Sequence, residues 1–180
     1  MDDRHLFTAI TAGDRDAFRA LVEREQAPVF RACYRILGRV AEAEDVAQES
    51  FVIAYRAIGT WRGDGSLGAW LGRIATRQAL RRLGQRRETV PLESVGGAYD
   101  VSAGPDPLGA AIAAERGLAV RNAVTALKEP YREIVALRFF AELSLNEIAD
   151  ATGRPLGTVK THLHRGLARL RDALAREAVA

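Results

Sequence analysis

The stretch that decides the fold is SLNEIADATGRPLGTVKTHLHR, residues 144–165. Ser144 and Glu147 form a capping box, in which each side chain satisfies a free backbone N–H group of the other residue. Gly153 ends the short helix that follows, because glycine readily adopts the left-handed conformation found at helix C-termini. Pro155 suits the first turn of a second helix, where its missing N–H is not needed. Short helix, tight turn and second helix together predict a helix-turn-helix.

The second helix separates apolar from polar residues when it is drawn at 100° per residue. Val159 and Leu163 lie on one face, and the opposite face carries Thr161, His162 and Arg165. Residues 154–171 contain no acidic side chain. An acid-free helix with hydroxyl and guanidinium groups near its N-terminal end predicts a recognition helix for the major groove of DNA.

Three other interpretations of the same stretch are weaker. A phosphate-binding loop is disfavoured because Thr158 stands where a second glycine is required and no strand precedes it. His162 and His164 would point about 200° apart on a helix, which is poor geometry for one zinc ion, and no cysteine cluster is available. An ordinary solvated basic face remains, but the capping box and the glycine turn favour the DNA-reading helix.

The composition is that of an ordinary globular protein. The 180 residues are 48% hydrophobic and 27% charged, with a net charge of +3. The single cysteine, Cys33, excludes an internal disulfide and fits a reducing compartment, and its helical spacing from Phe30 and Leu37 predicts a core position. MDDRHLFTAI, residues 1–10, lacks the apolar segment of a signal peptide, and no apolar run is long enough to span a membrane. We therefore expect a cytoplasmic protein without membrane insertion.

Helical periodicity dominates the chain and no long stretch alternates with the period of a strand. The pattern predicts helices over residues 40–57 and 67–82, separated by a glycine-rich loop at 62–66. Residues 88–108 are rich in glycine and proline and carry no basic side chain. Such a segment is typical of a flexible linker. The sequence thus predicts an all-α protein with two small helical domains, and it leaves open whether they pack together.

A stripe of arginines follows the glycine-rich loop. Arg73, Arg77 and Arg81 recur every four residues, and further arginines continue the stripe to residue 87. Such a stripe is suited to tracking phosphates. Trp61 and Trp70 flank the loop, and indole faces stack on unpaired bases of any sequence. The alternative is that both tryptophans belong to the core.

A second charged stripe has the opposite sign. Glu42, Asp45 and Glu49 share one face of the predicted helix at 40–57, with Gln48 beside them. This face would repel DNA. It is either a solvated helix surface or a docking surface for a basic protein partner, and the spacing alone does not decide between them.

Two blocks of the sequence resemble a known family. AEDVAQESFVIAYRAIGTWRGDGSLGAWLGRIA (43–75) and LKEPYREIVALRFFAELSLNEIADATGRPLGTVKTHLHRGLARLR (127–171) are similar to bacterial RNA polymerase sigma factors of the extracytoplasmic-function (ECF) subfamily. The resemblance implies sigma domain 2 over residues 1–87, a flexible linker over 88–111 and a helix-turn-helix sigma domain 4 over 112–180. It also implies a function: binding core RNA polymerase and directing initiation at promoters with −10 and −35 elements.

The resemblance assigns roles to individual residues. Binding to the clamp helices of the largest polymerase subunit falls to Glu44, Asp45, Gln48, Glu49 and Phe51. Contacts to the −10 element, as single-stranded DNA, fall to Trp61, Arg62, Trp70, Arg73, Arg77, Gln78 and Arg81. Contacts to the −35 element, as duplex, fall to Arg154, Gly157, Thr158, Lys160, Thr161, His162, His164 and Arg165.

The resemblance further implies partners and excludes some functions. The expected partners are core polymerase, through its clamp helices and flap, promoter DNA, and an anti-sigma protein that wedges between the two domains. No enzyme activity, cofactor or metal is expected. Many members carry Ser-Arg where this chain has Thr161-His162, so its promoter sequence is expected to differ. Two alternatives stay open: a stand-alone helix-turn-helix regulator, and an enzyme acting on nucleotides.

Overall fold

The computed structural model describes residues 2–89 and 107–177, and within them all regular structure is helical, which confirms the all-α prediction. No helix among these residues combines the length and hydropathy needed to cross a membrane. A short 3-10 turn, Ile58–Thr60, follows the third helix. The helices are α1 (Asp3–Thr11), α2 (Arg15–Leu37), α3 (Val40–Ala57), α4 (Leu67–Thr89), α5 (Pro107–Ala126), α6 (Tyr131–Phe139), α7 (Leu145–Thr152) and α8 (Leu156–Glu177).

Helices α2, α3 and α4 pack around one apolar cluster in the N-terminal part of the chain. Small residues such as Ala43 and Ala75 are completely buried there, which lets the helices approach closely. Cys33 is also buried in this cluster, as its spacing predicts, and burial raises the pKa of its thiol to about 12. The thiol is therefore part of the core and not a reactive group.

A second cluster joins α1 to the start of α4. Leu6 and Ile10 of α1 pack with Trp61 and Leu67. The carboxylate of Asp3 accepts a hydrogen bond from the backbone N–H of Leu67 at 2.7 Å. An acidic side chain at this point satisfies one of the free N–H groups of the first turn of α4. The cluster and this cap together fix the loop before α4.

The helix-turn-helix forms as predicted from its local signals. Ser144 Oγ accepts from the N–H of Glu147 at 3.2 Å, and the Glu147 carboxylate accepts from the N–H of Ser144 at 2.8 Å. Gly153 follows α7 with φ +66°, the left-handed conformation predicted for it. The capping box and the glycine turn therefore set both ends of α7.

Helix α8 crosses α6 at Gly166. A methyl carbon placed on Gly166 would lie 2.8 Å from Val135 Cγ2 and 3.4 Å from Tyr131 Cβ. The first distance is shorter than real Cβ contacts, so a side chain at position 166 requires Val135 to move. The crossing fixes the position of α8 relative to α6.

The N-terminal and C-terminal parts pack against each other. Val124, Leu127 and Val135 belong to the same apolar cluster as Leu80 and Leu83 of α4. Polar contacts reinforce this packing. Arg121 Nε donates to the carbonyl of Arg35 at 2.7 Å, near the C-terminus of α2, and Arg35 forms an ion pair with Glu142 at 2.9 Å.

The helix boundaries differ from the predicted linker, residues 88–111. Helix α4 continues to Thr89, beyond the predicted end at residue 82, and α5 already begins at Pro107. Arginine, glutamine and leucine are good helix formers, which explains the extension of α4. Proline is favoured at the first helical position, which explains the early start of α5. Residues 90–106 of the predicted linker lie outside the described residues.

We expect alanine to be tolerated differently at two helical glycines. A Cβ atom added to Gly84 of α4 would meet no other atom within 4 Å, so Gly84→Ala should raise the free energy of unfolding by about 0.5–1 kcal/mol. Gly166→Ala should gain less or destabilise, because Val135 must move. Denaturant unfolding followed by circular dichroism measures both. Equal gains for the two variants would show that the α6–α8 crossing has room for a methyl group.

Candidate DNA-binding and polymerase-docking surfaces

The exposed face of α8 carries most of the residues predicted to read the −35 element. Lys160, Thr161, His164 and Arg165 are exposed near its N-terminal end, while Val159 is buried against α6 and α7. The hydroxyl of Thr161 donates to the carbonyl of Gly157 at 3.0 Å. Its oxygen can still accept a further hydrogen bond. This face can therefore present donors and acceptors to a groove of duplex DNA.

His162 does not project from this face as the helical projection predicts. Its ring packs edge-on against Tyr131, with ring centroids 5.6 Å apart and an interplanar angle of 84°. The Nδ1 atom is buried and has no hydrogen-bond partner among residues 2–89 and 107–177. The guanidinium of Arg169 lies 4.6 Å from the centroid of the same tyrosine ring. Tyr131 thus holds His162 against α6, where the ring supports the position of α8.

Arg154 also points inward. The resemblance predicts that it contacts the −35 element from the turn before α8, but its Nη1 donates to Oε2 of Glu133 at 3.1 Å. The nearby Thr158 is half-buried, and Gly157 is exposed. In this conformation Arg154 joins the turn to α6, and 31% of its side chain stays exposed.

Glu133 is the centre of a cluster of arginines between α4 and the helix-turn-helix. Its side chain is only 6% exposed. Oε1 accepts from Nε of Arg73 at 2.8 Å and lies 3.6 Å from Nε of Arg77, while Oε2 faces Arg154. Sequence reasoning did not single out Glu133. Its one local signal is its position directly before the apolar run 134–137.

The electrostatics of Glu133 follow from two opposing effects. Burial alone would raise the pKa of its carboxyl group, because it removes water from the charged form. The hydrogen bond and charge of Arg73, the hydrogen bond of Arg154 and the charge of Arg77 outweigh burial and lower the pKa. The carboxylate is therefore ionised and held by three arginines from two parts of the chain.

The arginine stripe of α4 is divided between two sets of partners. Arg73 is half-buried and its Nη1 also donates to the carbonyl of Ala151 at 2.8 Å. Arg77 remains 64% exposed, and Arg81 is exposed. Farther along, Arg82 pairs with Glu49 at 3.0 Å and Arg86 pairs with Glu42. The first part of the stripe thus faces the helix-turn-helix, and the last part faces α3.

The tryptophans predicted to stack on bases lie in or near the core. Trp61 is 6% exposed and its ring centroid is 5.1 Å from that of Phe7. Trp70 is half-buried and packs against both N-terminal clusters. Helix α1 covers the Trp61 ring, which the local pattern of residues 61–70 does not reveal. Of the remaining predicted −10 residues, Arg62 is exposed and Gln78 is half-buried.

A cavity of about 260 Å³ lies between the glycine-rich loop and the helix-turn-helix. Trp61, Arg62 and Trp70 line it from one side, and Asp150 and Gly153 line it from the other. A Cβ atom on Gly65 would lie 2.8 Å from Cβ of Asp150, so the loop and α7 are in close contact. The helix-turn-helix therefore covers part of the predicted −10 surface.

The predicted polymerase-docking face of α3 is open. Glu44, Asp45 and Gln48 are exposed, as is Glu49, whose carboxylate pairs with Arg82. Phe51 is half-buried and packs against the core cluster.

Sequence reasoning missed an apolar part of this face. Val52 is 50% exposed and, with Ile53 and Arg56, lines a shallow groove of about 530 Å³ that also includes Asp45 and Gln48. The signal is present in the sequence, since Val52 lies four residues after Gln48 on the same helical face. The face is therefore mixed, with acidic, amide and apolar side chains.

Comparison with known proteins places both parts of the chain in one family. Residues 21–89 match the model of Sigma-70 region 2, and residues 117–170 match the model of Sigma-70 region 4. The ECF RNA polymerase sigma factor SigW of Bacillus subtilis is 35% identical over 173 residues, covering 92% of each chain. The RNA polymerase sigma-H factor of Pseudomonas aeruginosa is 32% identical and covers 96% of this chain and 93% of its own.

Solved structures agree on the fold. CnrH, in complex with the cytosolic domain of CnrY, matches with a TM-score of 0.61 at 23% identity, covering 97% of both chains. RpoE of Bartonella quintana, in complex with the anti-sigma factor NepR, matches with a TM-score of 0.54 at 20% identity, covering 88% of this chain and 96% of its own. The chain thus belongs to the ECF family of RNA polymerase sigma factors and is an RNA polymerase-binding factor for promoter-specific transcription initiation.

Proposed function

We propose that the work of initiation is divided along the chain. Residues 1–87 bind core polymerase and the −10 element, residues 88–111 link the domains, and residues 112–180 bind the −35 element. The observation that carries this division is the arrangement of three surfaces of different chemistry: the mixed face of α3, the arginines of α4 and the acid-free face of α8. The factor works in the cytoplasm and has no catalytic activity of its own.

The α3 face supports the docking role. Asp45 and Gln48 have no hydrogen-bond or ion-pair partner among the residues at 2–89 and 107–177, so they are available to a basic partner. Exposed Val52 adds apolar area between them and Arg56. An apolar centre with charged neighbours is the usual composition of a specific protein interface. We assign Glu44, Asp45, Gln48, Glu49 and Phe51 to the clamp helices of polymerase, with Phe51 acting by supporting the helix from within.

The proposed DNA contacts follow the positive charge of α4 and α8. Arg77 and Arg81 on α4 are exposed and can contact phosphates of single-stranded DNA, which is sequence-independent. Lys160, Thr161 and Arg165 on α8 can reach base edges, which supplies sequence readout. The remaining predicted −10 residues are Trp61, Arg62, Trp70, Arg73 and Gln78, and the remaining −35 residues are Arg154, Gly157, Thr158, His162 and His164. Separation of the two parts would expose Arg73. The contacts of Arg154 with Glu133 and of His162 with Tyr131 lie within the C-terminal part and do not depend on that separation.

We also propose regulation by an anti-sigma protein. The support is that CnrH and RpoE, which share this fold, were both solved with such partners or with a cytosolic partner domain. The partner would contact both sigma domains. The flap of core polymerase is proposed as a second contact, made by the C-terminal domain.

Run-off transcription with purified core polymerase tests the proposed function. Linear templates with varied −35 and −10 sequences serve as substrates. A transcript that requires both the factor and core enzyme supports initiation activity. Absence of a transcript, together with tight duplex binding by the factor alone, would favour a stand-alone helix-turn-helix regulator.

Charge reversal on α3 should prevent polymerase binding. We expect Asp45→Arg to weaken the affinity for core polymerase by roughly tenfold or more, because like charges placed at an interface are strongly unfavourable. Asp45 is preferable to Glu49, whose change would also break the pair with Arg82. Affinity chromatography with core enzyme measures the loss. Glu23→Arg, at an exposed acid of α2, is the matched control and should bind normally. Normal binding by Asp45→Arg would disprove the docking role.

Truncation of one exposed arginine on α8 should change promoter preference. Arg165→Ala should cost roughly 1–3 kcal/mol of binding free energy at one promoter position if the side chain reads a base. Binding to a set of −35 duplexes with single base changes measures this. Arg176→Ala, at an exposed arginine in the last turn of the same helix, is the control. A uniform loss over all duplexes would identify Arg165 as a phosphate contact.

A further inference from the structure

Two of the arginines proposed to contact promoter DNA, Arg73 and Arg154, donate hydrogen bonds to a carboxylate of the same chain, and a third, Arg77, lies near it. Arg73 uses Nε for Glu133 and Nη1 for the carbonyl of Ala151, both at 2.8 Å. Arg154 donates to the second oxygen of Glu133 at 3.1 Å. Arg77, one turn from Arg73, lies 3.6 Å from the first oxygen. Both Glu133 oxygens are thus engaged, one toward α4 and the other toward the turn before α8.

A carboxylate and a phosphate bind a guanidinium group in the same way. Both present paired anionic oxygens that accept from its planar N–H donors. Arg73 therefore cannot bind Glu133 and a DNA phosphate with the same donors at once, and Glu133 competes with phosphate for the charge of Arg77, whose side chain is 64% exposed. The contact joins elements 60 residues apart in sequence, so it requires the closed arrangement of the two sigma domains.

The burial of Glu133 makes the contact difficult to replace. The side chain is 6% exposed, so water does not compensate for a lost arginine while the domains remain together. Gly65 of the glycine-rich loop and Asp150 of α7 are in close contact, so the helix-turn-helix covers part of the loop at 62–66. DNA gains full access to Arg73 only when the domains separate and Glu133 becomes hydrated.

We propose that Glu133 is an internal competitor of promoter DNA, occupying Arg73 and Arg77 of α4 in the free factor and releasing both when the domains separate. The surface involved is the face of α6 that presents Glu133, and its partner is the arginine face of α4. This inference rests on the proposed assignment of these arginines to DNA. Glu133 thereby suppresses binding to DNA in the absence of polymerase.

Removing the charge of Glu133 should increase DNA binding by the free factor. The probe is a fluorescent single-stranded oligonucleotide of about 20 nucleotides and mixed sequence, followed by anisotropy with the full chain. If Glu133→Gln frees two arginines for phosphates, the slope of log affinity against log salt concentration should become more negative by about 1.4. Between 50 and 200 mM salt, the factor by which the affinity falls should therefore be about seven times larger for the variant than for the unchanged protein.

A matched control separates competition from a general effect of charge. Glu142→Gln makes the same change in net charge and also breaks an ion pair between the domains, with Arg35. It does not touch the arginines proposed for DNA, so its salt slope should equal that of the unchanged protein. Equal slopes for Glu133→Gln and Glu142→Gln would overturn the proposal.

A second variant keeps the test usable if Glu133→Gln does not fold. Glu133→Asp keeps the charge on a shorter side chain, so its affinity and slope should lie between those of the unchanged protein and of Glu133→Gln. Circular dichroism establishes that each variant is folded. If Glu133→Gln does not fold, unchanged binding by folded Glu133→Asp would overturn the proposal.

Transcription assays distinguish this inference from the assignment on which it rests. Arg73→Ala and Arg77→Ala should each reduce run-off transcription by the holoenzyme. If neither does, the assignment of these arginines to promoter DNA is wrong. If both do, but Glu133→Gln binds the oligonucleotide like the unchanged protein, only the competition by Glu133 is wrong.

Discussion

The arrangement of the whole protein depends on one buried carboxylate. Glu133 lies in an interface where water is scarce, and an ionised group in such a place requires compensating charge. Arg73 and Arg154 supply it from opposite sides. The apolar cluster shared by α4, α5 and α6 brings the domains together without fixing their orientation, because hydrophobic contact is not directional. The ion cluster adds that direction.

Ion pairs also connect the surfaces within the N-terminal domain. Glu49 and Glu42 on α3 pair with Arg82 and Arg86 on α4. The acidic face and the basic stripe therefore neutralise each other where they meet. What stays available on α3 is the part around Asp45, Gln48 and Val52. The distribution of charge along α4 thus decides which surface each arginine serves.

Much of the fold could be predicted from the sequence because its signals are local. Ser144 and Glu147 lie three residues apart, and Gly153 needs only its own φ angle to end α7. The apolar period places Val159 and Cys33 in the core, and both are buried there. The family resemblance rests on whole blocks of residues, and the comparisons confirm it.

The candidate sites were harder to predict because their contacts join distant parts of the chain. Arg73 and Arg154 have the appearance of free cations in a helix and a turn, and neither position shows that Glu133 lies between them. A helical projection places His162 on the outer face, but Tyr131 of another helix holds its ring. Trp61 is covered by α1, from the very start of the chain. Side-chain direction at these points is set by tertiary packing, which spacing does not encode.

The inert thiol in the core has a practical consequence for spectroscopy. Cys33 is the only cysteine of the chain, it is buried, and its pKa of about 12 leaves almost no thiolate near neutral pH. Maleimide dyes and nitroxide labels react with the thiolate, so Cys33 of the folded protein gives almost no background labelling. A cysteine introduced at an exposed position of each domain would then carry the whole signal. The native sequence is therefore ready for measuring the distance between its two halves in solution, with no cysteine to remove first.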